Sequence, residues 1–389
     1  MDPERGKKSL LWSTGIAWLV LSGLLWIPRS PYFRPWEVLR EGPVAFRPLT
    51  ELEMAGCGDL GRSSHVEELQ YWCRTRFTTD ELGFRNREGS SWARTVVVGD
   101  SFVVGSGVDD AETIPARLAL HLGEPVTNYG CVAGLGPLAY LADPRSRESP
   151  PEIVVWAPAF RTVAPVPLGL APFELSCESR ECASPRSAKP EELAKLEKLA
   201  SWWTAWAGLG DGVMAWKARL EEHSTLTHLS RRAFHESYWR LAEKPWEIRA
   251  IEIEDAPALV LTLEAQGLCA GPEARRMRET VMTIDRLRSE VTGRGSRFVF
   301  APIPDVGTIY PDAYSSRERS QLAEPAFIDL VFRELAARGV ACVDLRPALR
   351  ESRYPYLYLR DDTHLSPRGT EVVARALAAG LRAVLASRR

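Results

Sequence analysis

Three kinds of side chain at opposite ends of the sequence could together carry acyl-transfer chemistry at a serine. Ser101 lies in TVVVGDSFVVGSG (95–107), directly after a Val-rich run; Asp361, Asp362 and His364 lie in YLRDDTHLSPRG (358–369). A serine hydroxyl is a poor nucleophile until a base takes its proton, and histidine is the usual base. A carboxylate that accepts the other imidazole N–H fixes the tautomer and stabilises the imidazolium. Two adjacent aspartates are available for that role. Each piece alone also has a plainer meaning: Gly-Asp-Ser is turn chemistry that ends a strand, and Ser366-Pro367 is a helix start.

These residues need elements that bring them together. From Thr95 the pattern is strand, turn and helix: TVVVGDS, the helical AETIPARLALHLG, a short strand at 125–129, and the apolar run IVVW (153–156). The pattern resumes with a helix over 273–292, a strand over 296–301, a helix over 322–337, a strand in GVACVDL (339–345) and a last helix over 367–386. Strands alternating with helices predict a parallel sheet with helices on its faces. In such a sheet a residue after an early strand and a pair before the last helix can meet at the carboxyl ends of the strands.

The segments outside this pattern have their own character. LLWSTGIAWLVLSGLLWI (10–27) carries no charge and follows Arg5, Lys7 and Lys8. About 18 such residues suffice to span a bilayer core, so residues 1–29 read as a cytoplasmic stub and transmembrane anchor with the bulk of the chain outside. Residues 30–94 read as a lead-in, extended and Pro-rich at first and then polar and irregular. Residues 163–190 read as loop, and 191–246 as helical, within an insertion reaching to about 270 that carries Trp202, Trp203 and Trp206. A net charge of −2 gives no case for nucleic acid. Seven cysteines include two local pairs, Cys57/Cys73 and Cys177/Cys182, which an oxidising compartment could join; Cys131, Cys269 and Cys342 read as small core residues. No Cys-x-x-Cys or His cluster points to zinc, and no cofactor is expected.

VVVGDSF, NYGCVAGLG and DDTHLSPRG together resemble the SGNH (GDSL-type) hydrolase superfamily. PIPDVGTIYPD, GVACVDLRPAL and LYLRDDTHLSPRG are similar to its alginate O-acetyltransferase (AlgX/AlgJ-like) branch. The resemblance covers roughly residues 76–162 and 296–386. It implies a three-layer α/β/α fold around a central parallel sheet, here with the helical insertion and the N-terminal transmembrane helix, the SGNH-like domain running over 95–389. It implies Ser101 as nucleophile, with the amides of Ser101 and Gly134 facing the oxyanion. The branch's Asp-x-His spacing implies Asp362 and His364 as acid and base; the Asp-x-x-His spacing of other members implies Asp361 instead.

The sequence departs from the pattern in four ways, one being Asp305, which stands where acetyltransferase relatives often carry Lys. The third-block Asn is absent, and Arg161 in VVWAPAFRT stands near its place, where it could serve as a cationic donor or lie on a surface loop. Leu365 replaces the Trp that follows the His, and the Ser precedes the Asp-x-His rather than following it. Two functions follow from the resemblance. One is a membrane-anchored, periplasmic serine esterase or O-acyltransferase acting on acyl, above all acetyl, esters of a cell-surface polysaccharide, with a membrane-bound acyl-donor protein as partner. The other is a catalytically impaired relative that binds a glycan or scaffolds a polysaccharide export complex.

Overall fold

The computed structural model describes residues 46, 48–64, 67–87, 92–131, 136–159, 248–261, 274–316 and 324–386. All of them belong to one compact unit. The expected anchor over 10–27, the expected helices over 191–246 with their Trp residues, and Cys177, Cys182, Cys269, Gly134 and Arg161 lie outside the described residues. Among the described residues no helix is long and apolar enough to cross a membrane.

The α/β expectation holds. Strands β3 (Thr95–Gly99), β4 (Val126–Gly130), β5 (Ile153–Ala157), β8 (Arg297–Phe300) and β9 (Ala341–Cys342) form a sheet in the order β4-β3-β5-β8-β9. Every pairing in it is parallel. β3 and β5 are buried along their whole length, as uninterrupted Val/Ile runs covered on both faces should be. Numbered by core strand, the order is 2-1-3-4-5, the doubly wound arrangement whose ligand crevice lies where the first and third strands diverge. Those two are β3 and β5, and Ser101 follows β3.

Helices cover both faces. Val97, Val155 and Val299 pack in one cluster with Ile114 and Leu118 of the helix Ile114–Leu122 and with Val373, Leu377 and Leu381 of the final helix Pro367–Ala386. Burying each such side chain contributes about 1.5–3 kcal/mol, so the final helix is held in place chiefly by its apolar stripe. On the other face Phe300 meets Trp156 and Phe332 of the helix Glu324–Ala337, which packs on the helix Ala274–Gly293.

Two small antiparallel sheets correct the sequence reading. The lead-in holds β1 (Glu51–Gly56) and β2 (Cys73–Thr78), paired from Glu51↔Thr78 to Gly56↔Cys73. β2 escapes notice because, of its six side chains, only Phe77 is buried. Cys57 and Cys73, read as a disulfide candidate, are not joined in a disulfide, and neither Cys131 nor Cys342 forms one. In the part of the insertion beyond 246, given no element from the sequence, β6 (Ile248–Ile253) and β7 (Ala256–Leu261) form a hairpin. Its two turn residues, Glu254 and Asp255, have φ of 52° and 61°, the left-handed pair of a tight two-residue turn usually signalled by Asn-Gly. GVACVDL pairs only at Ala341 and Cys342 and is otherwise a connection.

Candidate active site

The nucleophile turn is built from its backbone outward. Asp100 accepts from the Phe102 N–H at 3.0 Å through Oδ1 and from the Ala159 N–H at 2.7 Å through Oδ2. It thereby caps the one-turn helix Ser101–Val104 and ties that turn to the chain leaving β5. Gly99 is obligatory here, since a Cβ would lie 2.3 Å from Val103 Cγ2 and 2.7 Å from the Ala157 carbonyl oxygen. The turn's far end is fastened by Arg85, a buried residue of the lead-in. Its guanidinium donates to the carbonyls of Val104, Gly105, Val108 and Arg76 and to Asp110 Oδ1 at 2.8 Å, and stacks 4.5 Å over the Phe77 ring. All five guanidinium N–H groups are thereby used. Burial lowers the Arg85 pKa, and the Asp110 charge works against that shift.

The acid and base sit at the tip of a second turn. Tyr358 and Leu365 form an antiparallel bridge, with the Leu359 N–H donating to the His364 carbonyl at 2.9 Å and the Ser366 N–H to the Leu357 carbonyl at 2.9 Å. Ser366 Oγ accepts from the Gly369 N–H at 3.2 Å; its backbone carbonyl accepts from Thr370 at 2.9 Å. The plain meaning of Ser366-Pro367 therefore holds too: it starts the final helix, and so fixes where the turn ends.

The two turns meet. Ser101 Oγ is 2.8 Å from His364 Nε2, and His364 Nδ1 is 2.7 Å from Asp362 Oδ1. His364 and Asp362 are buried while Ser101 is half-buried. The Phe102 ring packs against the imidazole, with 4.9 Å between centroids. Asp362 is further held by the Thr363 N–H on Oδ1 at 2.6 Å and the Asp59 N–H on Oδ2 at 3.0 Å. A carboxylate so supplied keeps Nδ1 as the protonated nitrogen and leaves Nε2 free to take the serine proton. The arrangement can activate a hydroxyl for attack on an ester carbonyl.

Asp361 points elsewhere. Its Oδ2 accepts from the Gly58 and Tyr71 N–H groups, each at 2.8 Å, and it makes no hydrogen bond to His364 among the described residues. Burial pushes its carboxyl up to about 6, opposed by those two N–H donors and aided by the neighbouring Asp362 charge. The same carboxylates lie near Cys73, whose thiol pKa is raised by partial desolvation and then by the charges of Asp361, Glu112, Asp109 and Asp362. Sequence reasoning missed the contribution of residues 58–71 and of Arg85. For Arg85 the available signal was the polar stretch RFTTDELGFRN (76–86), where Asp80 accepts from Leu82, Phe84 and Asn86 and Asn86 donates to the Asn128 carbonyl.

A parallel doubly wound sheet, with a serine after its first strand and an Asp-x-His before its last helix, gives the chain its resemblance to the SGNH hydrolase superfamily and to its alginate O-acetyltransferase branch. Residues 264–388, which include Asp362 and His364, match the family described as ALGX, the SGNH hydrolase-like domain of acetyltransferase AlgX. Among characterised proteins the chain is similar to the "Probable alginate O-acetylase AlgJ" of Pseudomonas aeruginosa, with 30% identity over 112 residues. That alignment spans 28% of this chain and 28% of the length of the relative. Two solved structures also resemble it. One, from Slackia heliotrinireducens and provisionally described as an SGNH hydrolase, is 11% identical with a TM-score of 0.34, over 74% of this chain and 97% of that one. The other, a carbohydrate acetylesterase family member from Sinorhizobium meliloti, is 13% identical with a TM-score of 0.31, over 75% and 98%.

Proposed function

We propose that this protein is a serine esterase or O-acyltransferase of SGNH type, with Ser101 as nucleophile, His364 as general base and Asp362 as the carboxylate that orients it. The observation that carries the reading is the unbroken hydrogen-bond chain from Ser101 Oγ through the imidazole to Asp362 Oδ1. As Oγ bonds to the acyl carbon, its proton passes to His364 Nε2, and the imidazolium that forms faces a buried carboxylate. His364 then gives that proton to the departing alkoxide as the ester C–O bond breaks, leaving an acyl-Ser101 intermediate. Water or a sugar hydroxyl, deprotonated by the same Nε2, then bonds to the acyl carbon; the acyl–Oγ bond breaks, the proton passes from His364 to Ser101 Oγ, and a free acid or a new ester is released.

The oxyanion formed at each step needs donors. The Ser101 N–H, at the start of its helical turn, is one; the family resemblance implies Gly134 as the second, and Arg161 is the candidate third in place of the absent Asn, both outside the described residues. In keeping with the acetyltransferase family matched by residues 264–388 and the alginate O-acetylase relative, the substrate class is acetyl esters of a cell-surface polysaccharide. The uncharged run at 10–27 supports a single-pass anchor with the N-terminus inside and the catalytic domain in the periplasm, facing the glycan and a membrane-bound acyl-donor protein. The glycan-binding scaffold reading is disfavoured, because a binding protein has no need of a serine–imidazole–carboxylate chain in hydrogen-bonding register.

The test is turnover. The wild-type protein is expected to release acetate from an aryl acetate or an acetylated polysaccharide, or to transfer acetyl to a glycan acceptor, with Ser101→Ala reduced to background. Equal rates for wild type and Ser101→Ala would overturn the reading.

A further inference from the structure

We propose that Asp361 is a positioning residue of this same site: it fastens Gly58–Gly61 and Tyr71 of the lead-in against the Asp361-Asp362 pair, so that residues preceding the sheet domain complete the environment of the acid. The proposal rests on the assignment of Ser101, His364 and Asp362 above.

Four backbone N–H groups from the lead-in converge on this one residue. Gly58 and Tyr71 donate to its carboxylate, and Leu60 and Gly61 donate to its backbone carbonyl at 3.1 and 3.0 Å. The partners lie 290 to 303 residues away for the carboxylate bonds, so the contact is a specific closure between distant parts of the chain. The approach is close enough to forbid a side chain. A Cβ on Gly58 would lie 2.2 Å from the Asp361 carbonyl oxygen, and one on Gly61 would lie 2.9 Å from Asp361 Cβ and Oδ2. Between these anchors stands Asp59, whose N–H reaches Asp362 Oδ2.

Asp361 is almost fully buried, at 2% exposure, and an anion there is tolerable only where N–H donors meet it. The two neighbouring aspartates therefore divide the work. Asp362 faces the imidazole, and Asp361 faces the opposite strand of chain and delivers the Asp59 N–H to its neighbour. Both carboxylate bonds of Asp361 fall on a single oxygen, Oδ2. What the position requires is an acceptor oxygen at that point rather than a charge.

That distinction makes the role testable with three variants. Asp361→Ala is expected to lower kcat for an aryl acetate about 10- to 100-fold, the effect of losing donors to a buried charged group, with KM nearly unchanged. Asp361→Asn, which can place its amide oxygen on both N–H groups, is expected to recover most of that rate. Gly58→Ala, which pushes the segment away from the other side, is expected to reproduce the Asp361→Ala loss. A second readout does not depend on turnover: the downfield proton resonance of His364 Nδ1–H should be present in wild type and Asp361→Asn and lost or broadened in the other two. If Asp361→Ala proves unstable, Gly58→Ala and Asp361→Asn still decide the matter. Wild-type kcat and an unchanged resonance in folded Asp361→Ala or Gly58→Ala would overturn the proposal. So would an Asp361→Asn loss as large as that of Asp361→Ala. Absence of esterase activity in the wild type with the resonance behaving as described would instead refute the function and leave the positioning role standing.

Discussion

Replacing Asp362 by Asn changes little in volume but sets the side chain an impossible task. In the structure three N–H groups point at this carboxylate: His364 Nδ1 at 2.7 Å and Thr363 N at 2.6 Å on Oδ1, and Asp59 N at 3.0 Å on Oδ2. An Asn side chain offers one oxygen and one NH2. If its oxygen faces His364 and Thr363, its NH2 abuts the Asp59 N–H, leaving a buried donor unpaired at a cost of about 1–3 kcal/mol. If it turns over, the NH2 drives His364 into the tautomer with Nε2 protonated, which cannot accept the Ser101 proton; a tautomer error of that kind costs about 10⁴ in kcat. Both orientations leave an N–H unmatched, and both remove the charge that stabilises the imidazolium. The expected result is a fall in kcat of about 10³–10⁴, with stability lowered by about 1–3 kcal/mol. Stopped-flow release of chromophore from an aryl acetate measures the first, and urea unfolding the second. An Asp362→Asn protein that is folded and within tenfold of wild type would refute the assignment. A large loss in Asp361→Asn alongside it would move the acid to Asp361.

Other consequences follow from the same contacts. Arg85→Met removes the donor to four backbone carbonyls and to Asp110; a loss of about 3 kcal/mol or more in urea unfolding is expected, and a loss under about 1 kcal/mol would contradict the packing described. Gly99→Ala should abolish esterase activity even where the protein remains folded, because Val103 and the rigid Ala157 carbonyl leave no room for the methyl group; full activity in that variant would show the nucleophile turn to be pliant. The Asp361 carboxyl is raised to about 6 from an ordinary 3.8, so the folded state holds that proton more tightly than the unfolded chain does. Its contribution to stability is accordingly greatest at low pH and is lost as pH rises from about 4 through about 6, by about 3 kcal/mol at most. The unfolding free energy of wild type minus that of Asp361→Asn should therefore fall between about pH 4 and about pH 6.5; a difference that rises with pH would reverse the sign and contradict the burial described.

How much of this was legible in the sequence depended on how local each signal was. The Val run before Gly99 and the DDTH turn before a Pro-initiated helix carry their meaning within a few residues, and both stand where they were expected. That Asp362 rather than Asp361 faces the imidazole was expected only from the Asp-x-His spacing of the resembling branch, and the structure sets Asp362 there; the residues themselves do not tell, because adjacent positions differ only in the direction the folded backbone gives them. Residues 58–71 decide that direction, and their link to Asp361 runs through backbone N–H groups that leave no mark on side-chain identity. Gly58 and Gly61 are the sole trace, and a glycine in a polar stretch commonly marks nothing more than a turn. β2 was hidden because an exposed strand of Cys, Arg and Thr lacks the alternation that burial imposes. The β6–β7 hairpin was hidden because Glu254-Asp255 adopts left-handed backbone without the usual Gly or Asn.

The most direct test of the account is to find the acyl group. Rapid quenching of the full chain with an activated acetyl ester, followed by proteolysis and mass spectrometry, should place an acetyl on Ser101 in wild type. The adduct should be absent from Ser101→Ala and should form far more slowly in His364→Ala. An acetyl on another residue, or on none under conditions where acetate is released, would contradict the claim that Ser101 is the nucleophile.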